Sequence, residues 1–348
     1  MSESRTPIFL TGATGYIGGF VLERLLTHPN AKTFDITVIS RQEEKVKKLE
    51  SFGVKAVVGS LDDYPLIEDL ASKAHVVFDC ADADNFEGVK AILRGLKKRH
   101  DTVGDVPIYI HTSGTGVLTD DAKGLVTSDL IYDDLNVEQL ASIPDTAFHR
   151  NVDLAVVDAD KQGYLKSYII LPSTIYGIAK TRLVEAGIQN PYSIQIPAII
   201  KASLARKQAG VVGKGVPFWP DVSIEDIADL YIVLFDAIVT NPDKVGHGRE
   251  GYYFGENGEH HWSQISRAIG EAFVQLGIST DPEPTPFTDE ELIKYFGSLW
   301  AGNYSGTNSR CRANRSRAIG WKPKHTTQDM VASIKPEVEA AIKQQGGK

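Results

Sequence analysis

The chain has 348 residues, 42% hydrophobic and 24% charged, which suits a large α/β domain joined to a smaller lobe. A net charge of −8 argues against a nucleic-acid partner, and no run of about 18 apolar residues suggests a membrane span. Two cysteines, Cys80 and Cys311, make neither a disulfide framework nor a metal-ligand spacing, and the opening MSESRTPIFLTGATG has no apolar leader core. The expectation is a cytoplasmic, metal-free protein that binds a small molecule.

Short apolar runs alternate with helical patterns through the first half. PIFLT (7–11) is strand-like, and GYIGGFVLERLLT (15–27) spaces its apolar residues as a helix does. DITVIS (35–40), VKAVV (54–58), HVVFDC (75–80) and IYIHT (108–112) read as further strands. QEEKVKKLESF, LIEDLASKA (66–74) and FEGVKAILRGLKKR (86–99) read as the helices between them. The section 117–147 is irregular. A helix is expected over about 148–161, then the strand SYIIL (167–171). Beyond Pro172 the alternation stops. Helices are expected over about 196–208, 223–239 and 262–276 and near 327–344, with the proline-rich DPEPTPF (281–287) as a connector. The fold class is therefore α/β, a Rossmann-type doubly wound parallel sheet in residues 1–172. Residues 173–348 form a mixed substrate-binding lobe, from which the chain can cross back to the sheet.

The most informative segment is FLTGATGYIGGFVLERLL. Gly12, Gly15 and Gly18 sit between a strand and a helix in the first βα unit. Gly12 suits the tight turn, Gly15 the approach to a pyrophosphate, and Gly18 close helix–strand packing. Backbone N–H groups at the positive helix end then face the phosphates.

The GxxGxxG spacing in TGATGYIG resembles the extended branch of the short-chain dehydrogenase/reductase superfamily. VVGSLDD (57–63), IYIHTSGTGV (108–117), YIILPSTIYG (168–177), DVSIEDIADLY (221–231) and SRCRANRSRAIGWKP (309–323) are similar to later segments of that family. The resemblance implies that Thr14, Tyr16 and Ile17 beside the glycines contact a dinucleotide. It extends the contact set to Ser60 and Leu61, Ala81, Thr112, Pro172 and Ile175. Ser60 stands where the family usually has an aspartate bonded to the adenine amine.

An NAD-preferring site places an acid at the end of the second strand. Here that strand ends in Ser40-Arg41, and an arginine suits a 2′-phosphate. NADP(H) is therefore expected over NAD(H).

In the family a tyrosine gives a proton to the carbonyl oxygen, a lysine four residues later lowers its pKa, and a serine or threonine holds the carbonyl. Ser113, directly after IYIHT, is the expected serine, with Thr112 and Thr115 as neighbours. The helix that should carry the tyrosine contains no YxxxK. Spacing from Pro172 puts His149 at the tyrosine position and Asp153 at the lysine position, on one helix face. Asp153 could orient His149 as an acid–base pair or accept bonds from the nicotinamide ribose; alternatively, the two residues simply pair at the helix start. YGIAK (176–180) spells the missing pair, but it follows the next strand and Gly177 interrupts it. It reads as a decoy, with Tyr176 as the substitute acid to test after His149.

Tyr192, Phe218, Trp219, Trp262, Trp300 and Tyr304 are candidates for an apolar pocket or for core. Arg310, Arg312, Arg315 and Arg317 read as a solvated face or an anion clamp. The leading function is an NADP(H)-dependent oxidoreductase acting on a small carbonyl or alcohol. The alternatives are an epimerase or isomerase with a retained cofactor and an NmrA-like dinucleotide-binding regulator without turnover. The state is monomer or homodimer; the resemblance implies dimerisation through the helices at 86–99 and 148–161.

Overall fold

A computed structural model describes residues 5–346; the first four residues of the opening stretch read above lie outside them. Its centre is a seven-stranded sheet. Five strands come from the first third of the chain: β1 (Thr6–Thr11), β2 (Phe34–Ser40), β3 (Lys55–Val58), β4 (Val76–Asp79) and β5 (Ile108–Thr112). The strands Lys166–Pro172 and Tyr252–Gly255 complete it. The order is Tyr252–Gly255, Lys166–Pro172, β5, β4, β1, β2, β3, with every pair parallel. The inner strands are rich in valine, isoleucine and aromatics without polar alternation, as strands covered on both faces must be. Thus β4, β5 and Tyr168–Leu171 are buried throughout.

Helices flank the sheet. Among them are α1 (Tyr16–Leu26), α2 (Glu43–Glu50), α3 (Tyr64–Lys73) and α4 (Phe86–Val103). α1 packs with the helix Ile224–Thr240, α3 packs with α4, and α4 also packs with the helix Arg150–Lys161. The chain runs outward from β1 to β3, then returns across β1 to β4. Neighbouring crossovers therefore leave β1 in opposite directions, and a crevice opens beyond the carboxyl ends of β1 and β4. The loops that follow these two strands, 12–15 and 80–85, meet there.

Tyr252–Gly255 returns to the sheet, the crossing back that residues 173–348 left open. The strand is only four residues long, too short for its pattern to stand out. A second, three-stranded sheet joins Thr174–Tyr176, Phe218–Ser223 and Glu259–His261. It backs a separate core that contains Ile196, Trp219, Trp262, Phe273 and Met330. Asp226 ties the two parts together: its carboxylate accepts from the backbone N–H groups of Lys324 and His325. Among the described residues no helix is long and apolar enough to cross a membrane.

Candidate active site

A cavity of about 600 Å³ lies at the crevice between β1 and β4. Its inner end is the glycine turn. Gly12 has φ +74°, and a Cβ there would stand 2.7 Å from the Cys80 carbonyl oxygen. A Cβ on Gly18 would overlap the carbonyl of Gly12. Only hydrogen fits at either place, so β1, α1 and the loop after β4 close on one another. Gly15 caps α1 without a side-chain bond, and Gly15, Tyr16 and Ile17 line the cavity. Bare N–H groups at the positive end of a helix, reached across a surface without side chains, fit a dinucleotide pyrophosphate. Gly12, Thr14 and Gly18 shape the turn without facing the cavity; the Thr14 carbonyl accepts from Asn190 N–H at 2.9 Å.

A polar network fixes the strand ends beneath. Asp79 accepts from the Thr11 hydroxyl (2.6 Å), the Tyr109 phenol (2.7 Å) and His111 Nδ1 (3.1 Å). Burial alone would raise its pKa, but the His111, Thr11 and Tyr109 bonds outweigh that and hold the carboxyl below its usual value. Burial pushes the neighbouring Cys80 thiol up to about 12, so this cavity-lining sulfur is no nucleophile at neutral pH. Thr112 pairs with the Tyr231 hydroxyl at 2.7 Å. The Ser113 and Thr115 hydroxyls are buried and, among the described residues, have no hydrogen-bond partner; both residues line the cavity.

Beside the loop that follows Ser113 stands His149, the N-cap of the helix Arg150–Lys161, with φ +67°. Its Nδ1 lies 2.7 Å from Asp84 Oδ1. A Cβ on Gly114 or Gly116 would lie 3.3 or 3.2 Å from its Nε2, so that nitrogen faces the loop carrying Ser113. The structure thus brings Ser113 and His149 to one cavity wall, but replaces the expected partner. Asp153 does not bond His149 and does not line the cavity. The left-handed turn at His149 throws its ring outward, while Asp153, inside the helix, is fully buried. Burial raises the Asp153 pKa, opposed by His111, Ser113, His149 and Arg150.

Tyr176 is corrected too. It is 3% exposed, sits in the second core, and its phenol donates to the Thr326 carbonyl at 2.9 Å. Burial pushes its pKa well up. Gly177 has φ +95° and Lys180 is exposed on a loop, so YGIAK has no common helix face.

The comparisons with known proteins agree with this geometry. The NmrA-like family model matches residues 4–97, the segment that builds the glycine turn. The oxidase ucsJ of Acremonium sp. is 28% identical over 334 residues, covering 91% of this chain and 92% of that protein. UDP-glucose 4-epimerase of Thermotoga maritima superposes with TM-score 0.65 at 17% identity, covering 98% of this chain and all of that one. The Thermus thermophilus UDP-glucose 4-epimerase, solved with NAD, gives 0.63 at 18% identity, covering 97% and 100%. These likenesses show a shared fold along the chain and an NmrA-like first segment at the glycine turn.

From the pattern of the family it resembles, the chain departs at the acid, since the helix Arg150–Lys161 carries no Tyr-xxx-Lys. Of the other expected contacts, Ala81, Thr112, Pro172 and Ile175 line the cavity. Arg41 is exposed beyond the tip of β2 and, among the described residues, has no ion-pair partner. Ser60 accepts from the Asp62 N–H (3.3 Å) and Leu61 packs on the core; neither they nor Arg41 line the cavity. Tyr192, Trp219, Trp300 and Tyr304 line it, whereas Phe218 packs on His261 and Trp262 is core.

The arginines of the basic run are engaged in polar contacts and do not line the cavity. Arg310 and Arg312 pair with Glu259, Arg317 with Glu256, and Arg315 Nε donates to the Asp134 carbonyl. Sequence reasoning missed Asp84 and Phe148. An acid in the loop between β4 and α4 was the available signal for Asp84; Phe148 had none beyond adjacency to His149.

Proposed function

We propose that the protein is an NADP(H)-dependent oxidoreductase of the atypical short-chain type, acting on a small carbonyl or alcohol. The observation that carries this reading is the convergence of Ser113, His149 and the glycine turn on one cavity. Bound there, a nicotinamide dinucleotide supplies or takes up hydride. Gly15, Tyr16 and Ile17 would face its pyrophosphate across the turn that Gly12 and Gly18 close, and Ala81, Thr112, Pro172 and Ile175 would flank its length. Arg41, with Ser60 and Leu61, would meet the adenosine end. Arg41 favours a 2′-phosphate, because β2 ends at Ser40 with no acid to bond the ribose hydroxyls instead.

The chain's own residues supply the rest. The unpaired Ser113 hydroxyl donates to the substrate oxygen and orients it. His149 Nε2 delivers a proton to that oxygen in reduction and removes it in oxidation. Asp84 holds Nδ1, which leaves Nε2 as the working nitrogen. Similarity to a protein named an oxidase supports redox chemistry. The deciding experiment is oxidation of NADPH against a panel of carbonyl compounds by the wild type and His149→Phe.

A second reading, a dinucleotide-binding regulator, is favoured by the match to the NmrA-like model and by the missing Tyr-xxx-Lys. Tight NADPH binding with no turnover on any carbonyl would establish it over the first.

A further inference from the structure

The outer half of the cavity differs in chemistry from the inner half. Among the described residues that line the cavity there is no lysine or arginine, whereas Asp82 and Asp84 both do so. The arginines nearest in sequence to Tyr304, from Arg310 to Arg317, are bound to Glu256, Glu259 and the Asp134 carbonyl. No lysine or arginine is left to meet a carboxylate or phosphate of the substrate, and such a group would share the cavity with two acids.

The remaining wall is aromatic. Phe148 meets Trp300 edge-on at 5.3 Å (74°) and Tyr304 at 6.0 Å (79°), and Tyr304 meets Trp219 at 5.3 Å (67°). Edges set against faces leave flat surfaces for a planar guest. Trp300 is 63% exposed and Ile194 is 84% exposed, yet both line this cavity. Large apolar groups left in solvent at a mouth mark a surface awaiting an apolar ligand.

We infer that the substrate is an uncharged, flat aryl carbonyl compound or the matching alcohol. Its ring lies among Phe148, Trp300 and Tyr304, and its oxygen is directed at Ser113. This rests on the reaction proposed above, and it deepens that reading by naming the substrate class. Substrates that carry a carboxylate or phosphate are disfavoured by Asp82 and Asp84 and by the lack of a lysine or arginine in the lining. A neutral ketone meets no such barrier, and it finds the Ser113 hydroxyl, buried and without a partner among the described residues, at its oxygen end.

The test is calorimetric binding to the full chain saturated with NADP+, using acetophenone and its charged analogue para-acetylbenzoate. Acetophenone is expected to bind at least about ten-fold more tightly. Trp300→Ala, a change at an exposed side chain, should weaken acetophenone by about ten-fold, and Asp84→Asn should shrink the preference over para-acetylbenzoate. Equal or tighter binding of the carboxylate, no binding of acetophenone, or indifference to Trp300→Ala would each overturn the inference. Heat of binding is read rather than turnover. A failure of the reaction and a failure of the ligand class are therefore separate results.

Discussion

His149 Nδ1 and Asp84 Oδ1 stand 2.7 Å apart although 65 residues separate them in the chain. One lies in the loop between β4 and α4; the other caps the helix Arg150–Lys161 in a left-handed conformation. The pair defines which nitrogen faces Ser113. His149→Phe should lower kcat by about 100-fold or more and leave cofactor affinity unchanged; Asp84→Asn should also lower kcat, through loss of the contact that orients the ring. Steady-state kinetics with calorimetric NADPH titration checks both, and unaltered turnover in His149→Phe removes the histidine from the mechanism.

Arg41 is exposed just beyond the tip of β2. Arg41→Ala should weaken NADPH binding by about 10- to 100-fold, the loss of a charge-assisted contact, and leave NADH nearly untouched. Titration of both reduced cofactors decides it, and equal losses would exclude the 2′-phosphate role.

Tyr176 belongs to the second core, so Tyr176→Phe should keep full turnover. The loss of its bond to the Thr326 carbonyl should cost about 1 kcal/mol of stability. Urea unfolding beside an activity assay separates the two effects. A collapse of turnover with stability intact would return Tyr176 to the reaction.

Glu337, 4% exposed, accepts from Gly177 N–H at 3.1 Å and from Ser333 at 3.2 Å, linking the C-terminal helix to the turn that receives the Tyr16 phenol. Burial raises its pKa from 4.5 to about 7, against the opposing Gly177 and Ser333 bonds. An acid with a raised folded pKa binds more protons folded than unfolded. Its effect is absent below the unfolded pKa, and stability falls as pH rises from 4.5 to about 7. Glu337→Gln keeps the acceptor and removes the charge. It should stabilise the protein at pH values above that window by on the order of 3 kcal/mol and do nothing at acid pH. Thermal unfolding across pH checks it; parallel curves for the two proteins would refute it.

Much of the sheet was legible because its signals are local. PIFLT, DITVIS and HVVFDC announce buried parallel strands by continuous apolar runs. Gly12, Gly15 and Gly18 announce the turn by spacing between a strand and a helix, and a Cβ at Gly12 or Gly18 is indeed excluded. Ser113 was legible for the same reason, as the first residue beyond a buried strand.

The amino-acid order by itself determined the β–α alternation, the glycine turn and the missing Tyr-xxx-Lys, since each is a pattern between near neighbours. Only the tertiary structure decided that Asp84 rather than Asp153 partners His149. The same holds for the burial of Tyr176 against Thr326 and for the engagement of Arg310–Arg317 by Glu256, Glu259 and Asp134. These partners lie about 50 to 180 residues apart, and no periodicity relates them. What joins them is the path of the folded chain, which sets one side chain in a cavity wall and the next in a core.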